Sequence, residues 1–350
     1  MTAAAMKENK VKITVIGAGS WGTTLSVMLA KEGNDIALWT HRRATYDEIL
    51  SYSSNSKYTK KLLIPDNVKP FIAKDMGFDA DTDMIIFAVP SHALREVVKD
   101  FYKYLEPLDN IRCILNVAKG FETGTNLRLS EVLAQSLPQG LKKKTCSLSG
   151  PNIAFEVARN LPSVSVITSR NKEILKFLQP VLSTKAFRIY TNSDIVGVEI
   201  GGAVKNIIAI ASGISDGLGY GANTKASLVT RGLYELSKFG IHMGANPLTF
   251  SGASGMGDLI ATCISGHSRN RGVGERLGRG ELIDDIMKSM YMVAEGVGTT
   301  RAVYEIAKDQ GIEVPITECV YEIIYDKLSP EKSVEKLMNR KTKSEIEDLI

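Results

Sequence analysis

The 350-residue sequence has few cysteines, little excess charge and no long apolar run. Its four cysteines form no Cys-x-x-Cys pair, and no histidine stands at metal-ligand spacing, so neither a disulfide framework nor a metal site is predicted and a reducing, cytoplasmic compartment fits. Lysine plus arginine number 43 against 39 acidic residues, a net charge of +4, and this scattered charge does not indicate nucleic-acid binding. No uninterrupted apolar stretch is long enough to span a bilayer, so membrane insertion is not expected.

The chain is longer than one typical domain, and its pattern changes class once. Strand signals alternate with helical patterns up to about residue 190, which is typical of a mostly parallel sheet covered by helices. After about residue 195 the strand signals stop and glycine-punctuated helical patterns follow. We therefore predict an α/β dinucleotide-binding domain over 1–195 and an all-helical substrate-binding domain over 196–350. The predicted strands are 11–16, 35–39, 83–89, 111–117, 145–148, 163–168 and 187–190.

A glycine-rich turn joins the first predicted strand to the first helix. The segment 17–22 reads Gly-Ala-Gly-Ser-Trp-Gly. Gly17 permits the tight turn, Gly19 lets the backbone approach a pyrophosphate, and Gly22 lets the helix pack against the strand, while the helix N-terminus offers amide hydrogens. In this strand-to-helix context the pattern predicts a dinucleotide site, with a glycine-rich structural turn as the alternative.

The end of the second strand lacks an acidic residue that could grip a ribose hydroxyl. Thr40, His41, Arg42 and Arg43 stand there instead. Basic groups at this place suit a 2′-phosphate, so the sequence favours NADPH over NADH. The alternative is a run of solvated charges at a strand end.

The run 198–219 is a nearly uncharged helical pattern with Lys205 in its middle. Gly201, Gly202 and Ala209 share a helical face with Lys205, whereas Glu199 points elsewhere. An ammonium in an apolar cleft is a good acid or base, but a lysine can also extend from a core helix into water. The helix alone leaves both interpretations open.

Further candidates occur at predicted loops and turns. Lys119 follows an apolar strand at the edge of the sheet where ligands bind, and the turn 149–152 could offer backbone amides to an anion. Asp258 follows a glycine-rich loop, and 266–271 contains two arginines whose paired donors match phosphate oxygens. Each of these also fits an ordinary exposed loop.

A set of longer motifs is distributed along residues 11–335. They include GAGSWGTTLS, AKGFE, SGPNIAFEVA, VGVEIGGAVKNIIAIASG, SGASGMGDLIATC, SRNRGVGERLGRG and VAEGVGTT. In order and spacing they closely resemble the motifs of the bacterial-type NAD(P)-dependent glycerol-3-phosphate dehydrogenases. The resemblance implies a Rossmann domain followed by an all-α domain. It also implies interconversion of dihydroxyacetone phosphate and sn-glycerol 3-phosphate with NADPH or NADH, at the start of glycerophospholipid synthesis, and makes a homodimer plausible.

The same resemblance assigns roles by position. Lys205 matches the catalytic lysine that gives or takes the proton at the substrate oxygen, Lys119 matches a lysine touching both substrate and cofactor, and Asp258 and Thr262 match polar groups of the same site. The matched substrate contacts are Gly150, Asn152, Ser268, Arg269 and Asn270, with Arg269 as phosphate anchor and also close to the cofactor. The matched cofactor contacts outside the three glycines are Ser20, Trp21, His41, Arg42, Tyr58, Ala154, Val293 and Glu295.

The sequence departs from the family pattern in two places. Asn152 stands where Ser or Thr is usual and Ile153 where Phe is usual, and residues 59–67 look longer than usual, which affects the assignments of Asn152 and Tyr58. In this reading the small residues around Lys205 would leave space for substrate and nicotinamide. The alternatives are another Rossmann-plus-helical reductase of a hydroxy acid or ketopantoate, and a dinucleotide-sensing module without catalysis. The Arg269 and Asn270 cluster favours a phosphorylated substrate.

Overall fold

The computed structural model describes residues 10–60, 62–73, 81–108, 110–342 and 344–345. The chain forms two compact units. The first contains the residues up to Ala118 together with Leu129–Ile195, and the second contains Lys119–Arg128 together with the residues from Val196 onward. A ten-residue segment of the N-terminal half is therefore part of the helical unit.

The first unit is built on one twisted sheet in the order β3-β2-β1-β4-β5-β6-β7-β8. Neighbouring strands are parallel except β6 and β7, which are antiparallel. The predicted α/β class with a mostly parallel sheet is confirmed. The strands are β1 (Lys12–Ile16), β2 (Asp35–Trp39), β3 (Val68–Phe71), β4 (Met84–Phe87), β5 (Cys113–Asn116), β6 (Thr145–Ser149), β7 (Ser163–Thr168) and β8 (Phe187–Asn192).

Apolar side chains of the strands and of the covering helices form the core of this unit. Strands β4 and β5 are buried along their whole length, which explains their continuous apolar sequences. Strand β3 was not predicted because Pro70 interrupts its pattern, and its position at the edge of the sheet is where proline is tolerated. The helices are α1 (Ser20–Lys31), α2 (Arg43–Tyr52), α3 (Leu94–Leu105), α4 (Leu129–Ser136), α5 (Ala154–Ala158) and α6 (Lys172–Leu182).

The second unit is helical, as expected. Within its described residues, β pairing is limited to an isolated bridge between Phe121 and Arg128. A π-helical turn, Ala253–Gly257, leads into α10. The helices are α7 (Ile195–Gly217), α8 (Ala222–His242), α9 (Pro247–Phe250), α10 (Asp258–Ile264), α11 (Arg269–Gly278), α12 (Ile283–Ser289), α13 (Glu295–Gln310), α14 (Pro315–Tyr325) and α15 (Pro330–Met338).

Helix α7 is the central element of this unit. By length and composition it could cross a membrane, yet 78% of its most apolar window is buried inside the protein. Its apolar side chains join the main helical core cluster, with Val204 and Ile207 fully buried. Burial against its own unit thus accounts for the apolar composition of the helix.

Glycines bring α7 and α11 into backbone contact. A methyl group added at Gly274 would lie 1.9 Å from the carbonyl oxygen of Ile210, and one at Gly278 would lie 2.4 Å from that of Ile214. On α7, Gly213 has no room for a methyl group beside the α11 backbone. The two helices can therefore approach this closely only because these positions lack side chains.

A buried carboxylate fixes the start of α14. Both oxygens of Glu235 on α8 accept hydrogen bonds from α14, at 2.7 Å from the Ile316 amide and 2.8 Å from the Thr317 amide. Burial raises the pKa of Glu235 to about 7, although the donors on Thr317 and Ile316 counteract part of this effect. The helix N-terminus has its free amides satisfied by an acidic side chain from a neighbouring helix.

The close contact between α7 and α11 predicts that alanine substitutions at two glycines of α11 change the stability of the protein differently. Gly274→Ala should lower the free energy of unfolding by about 1–3 kcal/mol, because the α11 backbone would have to move. Gly272→Ala on the same helix is the matched control, since nothing lies within 4 Å of its added methyl group. The control should be neutral or stabilising by up to about 1 kcal/mol. Urea unfolding followed by circular dichroism measures both, and equal stabilities would contradict this packing.

Glu235 predicts a pH dependence of stability. Because its pKa is raised in the folded protein, the folded state holds a proton that the unfolded state releases at lower pH. The stabilisation of the folded state by protonated Glu235 is complete below the ordinary carboxyl pKa. It is lost as the pH rises through about 7, which lowers the free energy of unfolding by about 3 kcal/mol. Glu235→Gln removes the titrating group, so the unfolding free energy of the parent relative to this variant should fall between pH 4.5 and 7.5. A constant difference would refute the assignment.

Candidate functional site

A buried carboxylate holds two lysine ammonium groups in the second unit. Asp258 is 1% exposed, and its Oδ2 lies 2.7 Å from Nζ of Lys119. Its Oδ1 is bonded to Nζ of Lys205, which also donates to the Thr262 hydroxyl at 2.8 Å. Lys205 is 6% exposed. The structure therefore decides between the two interpretations of Lys205, because its ammonium is buried.

The surroundings of Lys119 and of Asp258 shift the pKa of each group. Burial is the largest effect on Lys119 and, with the nearby Lys205 ammonium opposing Asp258, lowers its pKa to about 8. Burial alone would raise the pKa of Asp258, but the two ammonium groups hold it below its usual value. The site thus keeps an ionised carboxylate beside a lysine that can lose its proton close to physiological pH.

Gly201 brings the acidic segment to Lys205. A methyl group at Gly201 would lie 2.5 Å from the Ser254 carbonyl oxygen, so the space beside it is filled by the backbone that leads into α10. At this position the expectation of space left for substrate and nicotinamide is wrong. The missing side chain instead leaves room for the π-helical turn that precedes α10. Asp258 and Thr262 lie one helical turn apart on α10, and both side chains contact Lys205.

Lys119 follows strand β5 directly after a side-chain turn. The Asn116 amide donates to the Ala118 carbonyl at 3.1 Å, and its oxygen accepts from the Ala118 amide at 3.2 Å. Gly120 then adopts φ 144°, a conformation that favours glycine. These two features define the direction in which the chain presents Lys119.

A second cluster lies around the N-terminus of α11. Arg269 Nη1 donates to the Val293 carbonyl at 2.7 Å, and the Asn270 side-chain oxygen accepts from the Gly296 amide at 3.0 Å. The Ser268 hydroxyl caps α11 by accepting from the Arg271 amide at 3.2 Å. The structure therefore brings five predicted positions together, namely Ser268, Arg269, Asn270, Val293 and Glu295.

The second arginine of the 266–271 segment has another partner. The Arg271 guanidinium binds Asp216, at 2.7 Å from Nε and 2.6 Å from Nη2. Both nitrogens donate to the same oxygen, Oδ2, and Asp216 lies near the end of α7, so this ion pair fixes α11 to α7. Of the two arginines, only Arg269 is in the cluster with Val293.

The glycine loop of the first unit has the shape that a dinucleotide requires. Gly17 adopts φ 120°, and an added methyl group would lie 2.5 Å from the Ala88 carbonyl oxygen. At Gly22 it would lie 1.9 Å from the Gly17 carbonyl oxygen, whereas no atom of the described part of the chain outside the neighbouring residues lies within 4 Å of a methyl group at Gly19. Two glycines are therefore needed for chain packing, and the third leaves open space before the first turn of α1, which fits a pyrophosphate.

Asn55 supports this loop and was not identified from the sequence. Its side chain is fully buried and donates to the Ala18 carbonyl at 2.9 Å and to the Thr23 hydroxyl at 2.8 Å. Its side-chain oxygen is buried and has no hydrogen-bond partner among the residues that the structure describes. An asparagine in a polar loop gives no sequence signal of such a contact, which spans more than thirty residues.

Several predicted cofactor contacts surround the same loop. Ser20 begins α1, the indole ring of Trp21 contacts Phe187, and α5, which begins at Ala154, packs against α1. Tyr58 donates its amide to the Asn55 carbonyl at 3.0 Å. These positions are described by the structure, while the roles assigned to them stay predictions.

The basic pair after β2 is also ordered. Arg42 Nε lies 3.2 Å from His41 Nε2. Burial, together with the Arg42 charge, lowers the pKa of His41, so Arg42 carries the positive charge of the pair at neutral pH.

In the turn after β6, the two predicted substrate contacts pack against the neighbouring strand β7. Gly150 adopts φ 132°, and an added methyl group would lie 3.0 Å from Cα of Ser165. The Asn152 amide donates to the Ser165 hydroxyl at 2.9 Å. Asn152, the residue that departs from the family pattern, is thus engaged with β7.

Comparisons with known proteins cover nearly the whole chain. The family model described as the N-terminus of NAD-dependent glycerol-3-phosphate dehydrogenase matches residues 12–175, and the model of its C-terminus matches residues 194–335. A relative from Chlorobium limicola named glycerol-3-phosphate dehydrogenase [NAD(P)+] is 46% identical over 95% of this chain and 99% of its own length. One of the same name from Geobacillus thermodenitrificans is 46% identical over 97% of both chains.

Solved structures agree with this match. Glycerol-3-phosphate dehydrogenase from Coxiella burnetii aligns with a TM-score of 0.87 at 35% identity, covering 95% of this chain and 99% of the other. The Plasmodium falciparum enzyme aligns at 0.84 and 25% identity, covering 97% and 99%. The predicted oxidoreductase with a nicotinamide cofactor is confirmed, and the ketopantoate-type and sensing-module alternatives are not supported. The chain belongs to the NAD-dependent glycerol-3-phosphate dehydrogenase family.

Proposed function

We propose that this protein interconverts dihydroxyacetone phosphate and sn-glycerol 3-phosphate, with NADPH or NADH as hydride donor. The observation that carries the proposal is the buried cluster of Lys119, Asp258 and Lys205. A carbonyl oxygen that becomes an alkoxide needs positive charge and a proton, and this cluster offers both away from bulk water.

Lys205 is the proton donor in the direction of ketone reduction. Its ammonium is held by Asp258 and by the Thr262 hydroxyl, so its position is fixed before a substrate arrives. Lys119 supplies a second positive charge next to the same carboxylate and stabilises the developing negative charge on the oxygen. Asp258 orients both lysines, and its negative charge offsets the repulsion between their ammonium groups.

Arg269 anchors the substrate phosphate. Its guanidinium is oriented by the Val293 carbonyl and retains further donors for phosphate oxygens. Ser268 and Asn270 support it by capping α11 and by joining it to the start of α13. This cluster is the reason to prefer a phosphorylated ketone over ketopantoate or dihydroxyacetone.

The first unit holds the dinucleotide. The pyrophosphate would lie at Gly19 and the first turn of α1, with Ser20 and Trp21 beside it, and the adenosine ribose at His41 and Arg42. When bound, the nicotinamide supplies the hydride. The protein's own groups bind the phosphates, orient the ketone and move the proton.

We also propose that the protein acts in the cytoplasm, as a homodimer, and feeds glycerophospholipid synthesis. Its four cysteines are free and buried, the form typical of a reducing compartment. The dimer rests on family likeness, and light scattering with size-exclusion chromatography tests it.

A direct assay tests the reaction. Oxidation of NADPH and NADH is followed by absorbance with dihydroxyacetone phosphate, with dihydroxyacetone and with ketopantoate. Turnover should require the phosphorylated ketone. Turnover with ketopantoate instead, or no turnover with any of the three, would refute the proposed function.

Lys205→Ala should lower kcat by about 10²- to 10⁴-fold, because it removes the general acid. NADPH affinity should change little, since Lys205 is not among the cofactor contacts. Lys336→Ala is the control, because that lysine binds Glu318 and Glu322 on the surface between α14 and α15. Steady-state kinetics and fluorescence titration of NADPH measure both properties. Normal turnover in Lys205→Ala would remove it from the mechanism.

Arg42→Gln should lower kcat/KM with NADPH by about 10- to 100-fold, the worth of one hydrogen bond to a charged group, and leave NADH nearly unaffected. The neighbouring Arg43→Gln is the matched control, because Arg43 pairs with Asp47 at 2.9 Å. The ratio of kcat/KM for the two cofactors is the measurement. Equal losses with both cofactors would refute the 2′-phosphate contact.

A further inference from the structure

The segment Lys119–Arg128, which we call the lysine hairpin, begins with one of the site lysines. The backbones of Phe121 and Arg128 pair as an antiparallel bridge, and the Glu122 amide donates to the Leu127 carbonyl at 2.9 Å. Gly124 and Asn126 adopt positive φ values of 87° and 56° in the turn. The segment is therefore a short hairpin whose two arms are joined by backbone pairing.

Three side chains attach the lysine hairpin to the helical unit. Phe121 is 3% exposed and contacts Phe239 edge to face, at 6.5 Å between ring centroids. Arg128 Nη1 lies 3.1 Å from Glu199 Oε2, and their side chains are only 11% and 7% exposed. Asn126 donates to Glu305 on α13 at 2.8 Å.

Two of the three attachment points, Glu199 and Glu305, lie on helices that carry predicted site residues. Glu199 lies on α7, six residues before Lys205, and α13 begins at Glu295 beside the Arg269 cluster. The backbone bridge of the hairpin places Arg128 opposite Phe121, two residues from Lys119. The Arg128 contact therefore attaches the strand opposite Phe121 to the helix that also carries Lys205.

Stability alone is a poor explanation for this ion pair. Removing two charges from water costs several kcal/mol per ion, and apolar replacements of a buried pair are often neutral or stabilising. The directional bond of a guanidinium instead fixes the geometry of the two chain segments that it joins.

We propose that Arg128 and Glu199 are positioning residues that hold the lysine hairpin against α7 and thereby keep Lys119 on Asp258. The inference rests on the proposed function for the importance of Lys119. It extends that function by assigning a role to two residues outside the reacting groups.

The test compares Arg128→Met, Glu199→Gln and the charge exchange Arg128→Glu with Glu199→Arg. Each single variant should lower kcat by about 10- to 100-fold, as expected for a displaced charge, with NADPH affinity unchanged within about twofold. The charge exchange should recover at least part of the loss. Lys336→Met, which breaks the surface pair with Glu318 and Glu322, is the control and should keep the parent kcat.

A second readout does not depend on activity. Competitive acetylation of Lys119, quantified by mass spectrometry over a pH series, gives its titration midpoint, expected near 8 in the parent. If Lys119 leaves the buried cluster, the midpoint should rise toward the ordinary lysine value. A parent protein that labels with a midpoint near 8 but does not reduce dihydroxyacetone phosphate would refute the proposed function and leave the hairpin testable.

Asn126→Asp covers the case in which the buried-pair variants fail to fold. It places a second carboxylate next to that of Glu305, at a half-buried position of the hairpin, and should lower kcat about 3- to 10-fold. The proposal is overturned if folded variants keep both the parent kcat and the parent midpoint of Lys119, or if NADPH affinity falls as much as kcat.

Discussion

The second unit depends on one buried carboxylate that serves two ammonium groups. Without Asp258, Lys119 and Lys205 would be two like charges in a protein interior, where repulsion and burial both favour loss of a proton. With Asp258 present, the two ammonium groups and the carboxylate carry a net charge of +1. A simple structural ion pair would instead be neutral. An excess charge in an apolar helical unit costs free energy. It becomes favourable when a bound anion or a developing alkoxide neutralises it.

Close backbone packing makes this arrangement possible. Gly201 admits the π-helical turn before Asp258, and Gly274 and Gly278 admit α11 against the same helix. The segments that carry the Asp258 cluster and the Arg269 cluster are therefore both packed against α7. Packing several segments directly against one rigid helix is an effective way of keeping their side chains within the tolerance that catalysis demands.

Much of this could be predicted from the sequence, because the signals are local. The alternation of apolar runs with helical patterns gives the sheet, and the glycine turn gives the dinucleotide loop. Strand β3 was missed because Pro70 hides its pattern. The space at Gly201 was assigned to ligand although backbone fills it, since a sequence shows a missing side chain but not what replaces it.

Contacts between residues far apart in the sequence could not be predicted from local sequence patterns. Asn55 reaches the glycine loop across more than thirty residues, and Arg128 reaches Glu199 across 71. Glu199 illustrates the difference: helical spacing correctly indicates that it does not face Lys205, but nothing in the spacing identifies its partner. That partner is Arg128, so the Glu199 carboxylate links α7 to the segment that begins with Lys119. The positions of the two lysines are then not independent, and a change on either side of the Arg128–Glu199 pair is transmitted to the carboxylate that both lysines share.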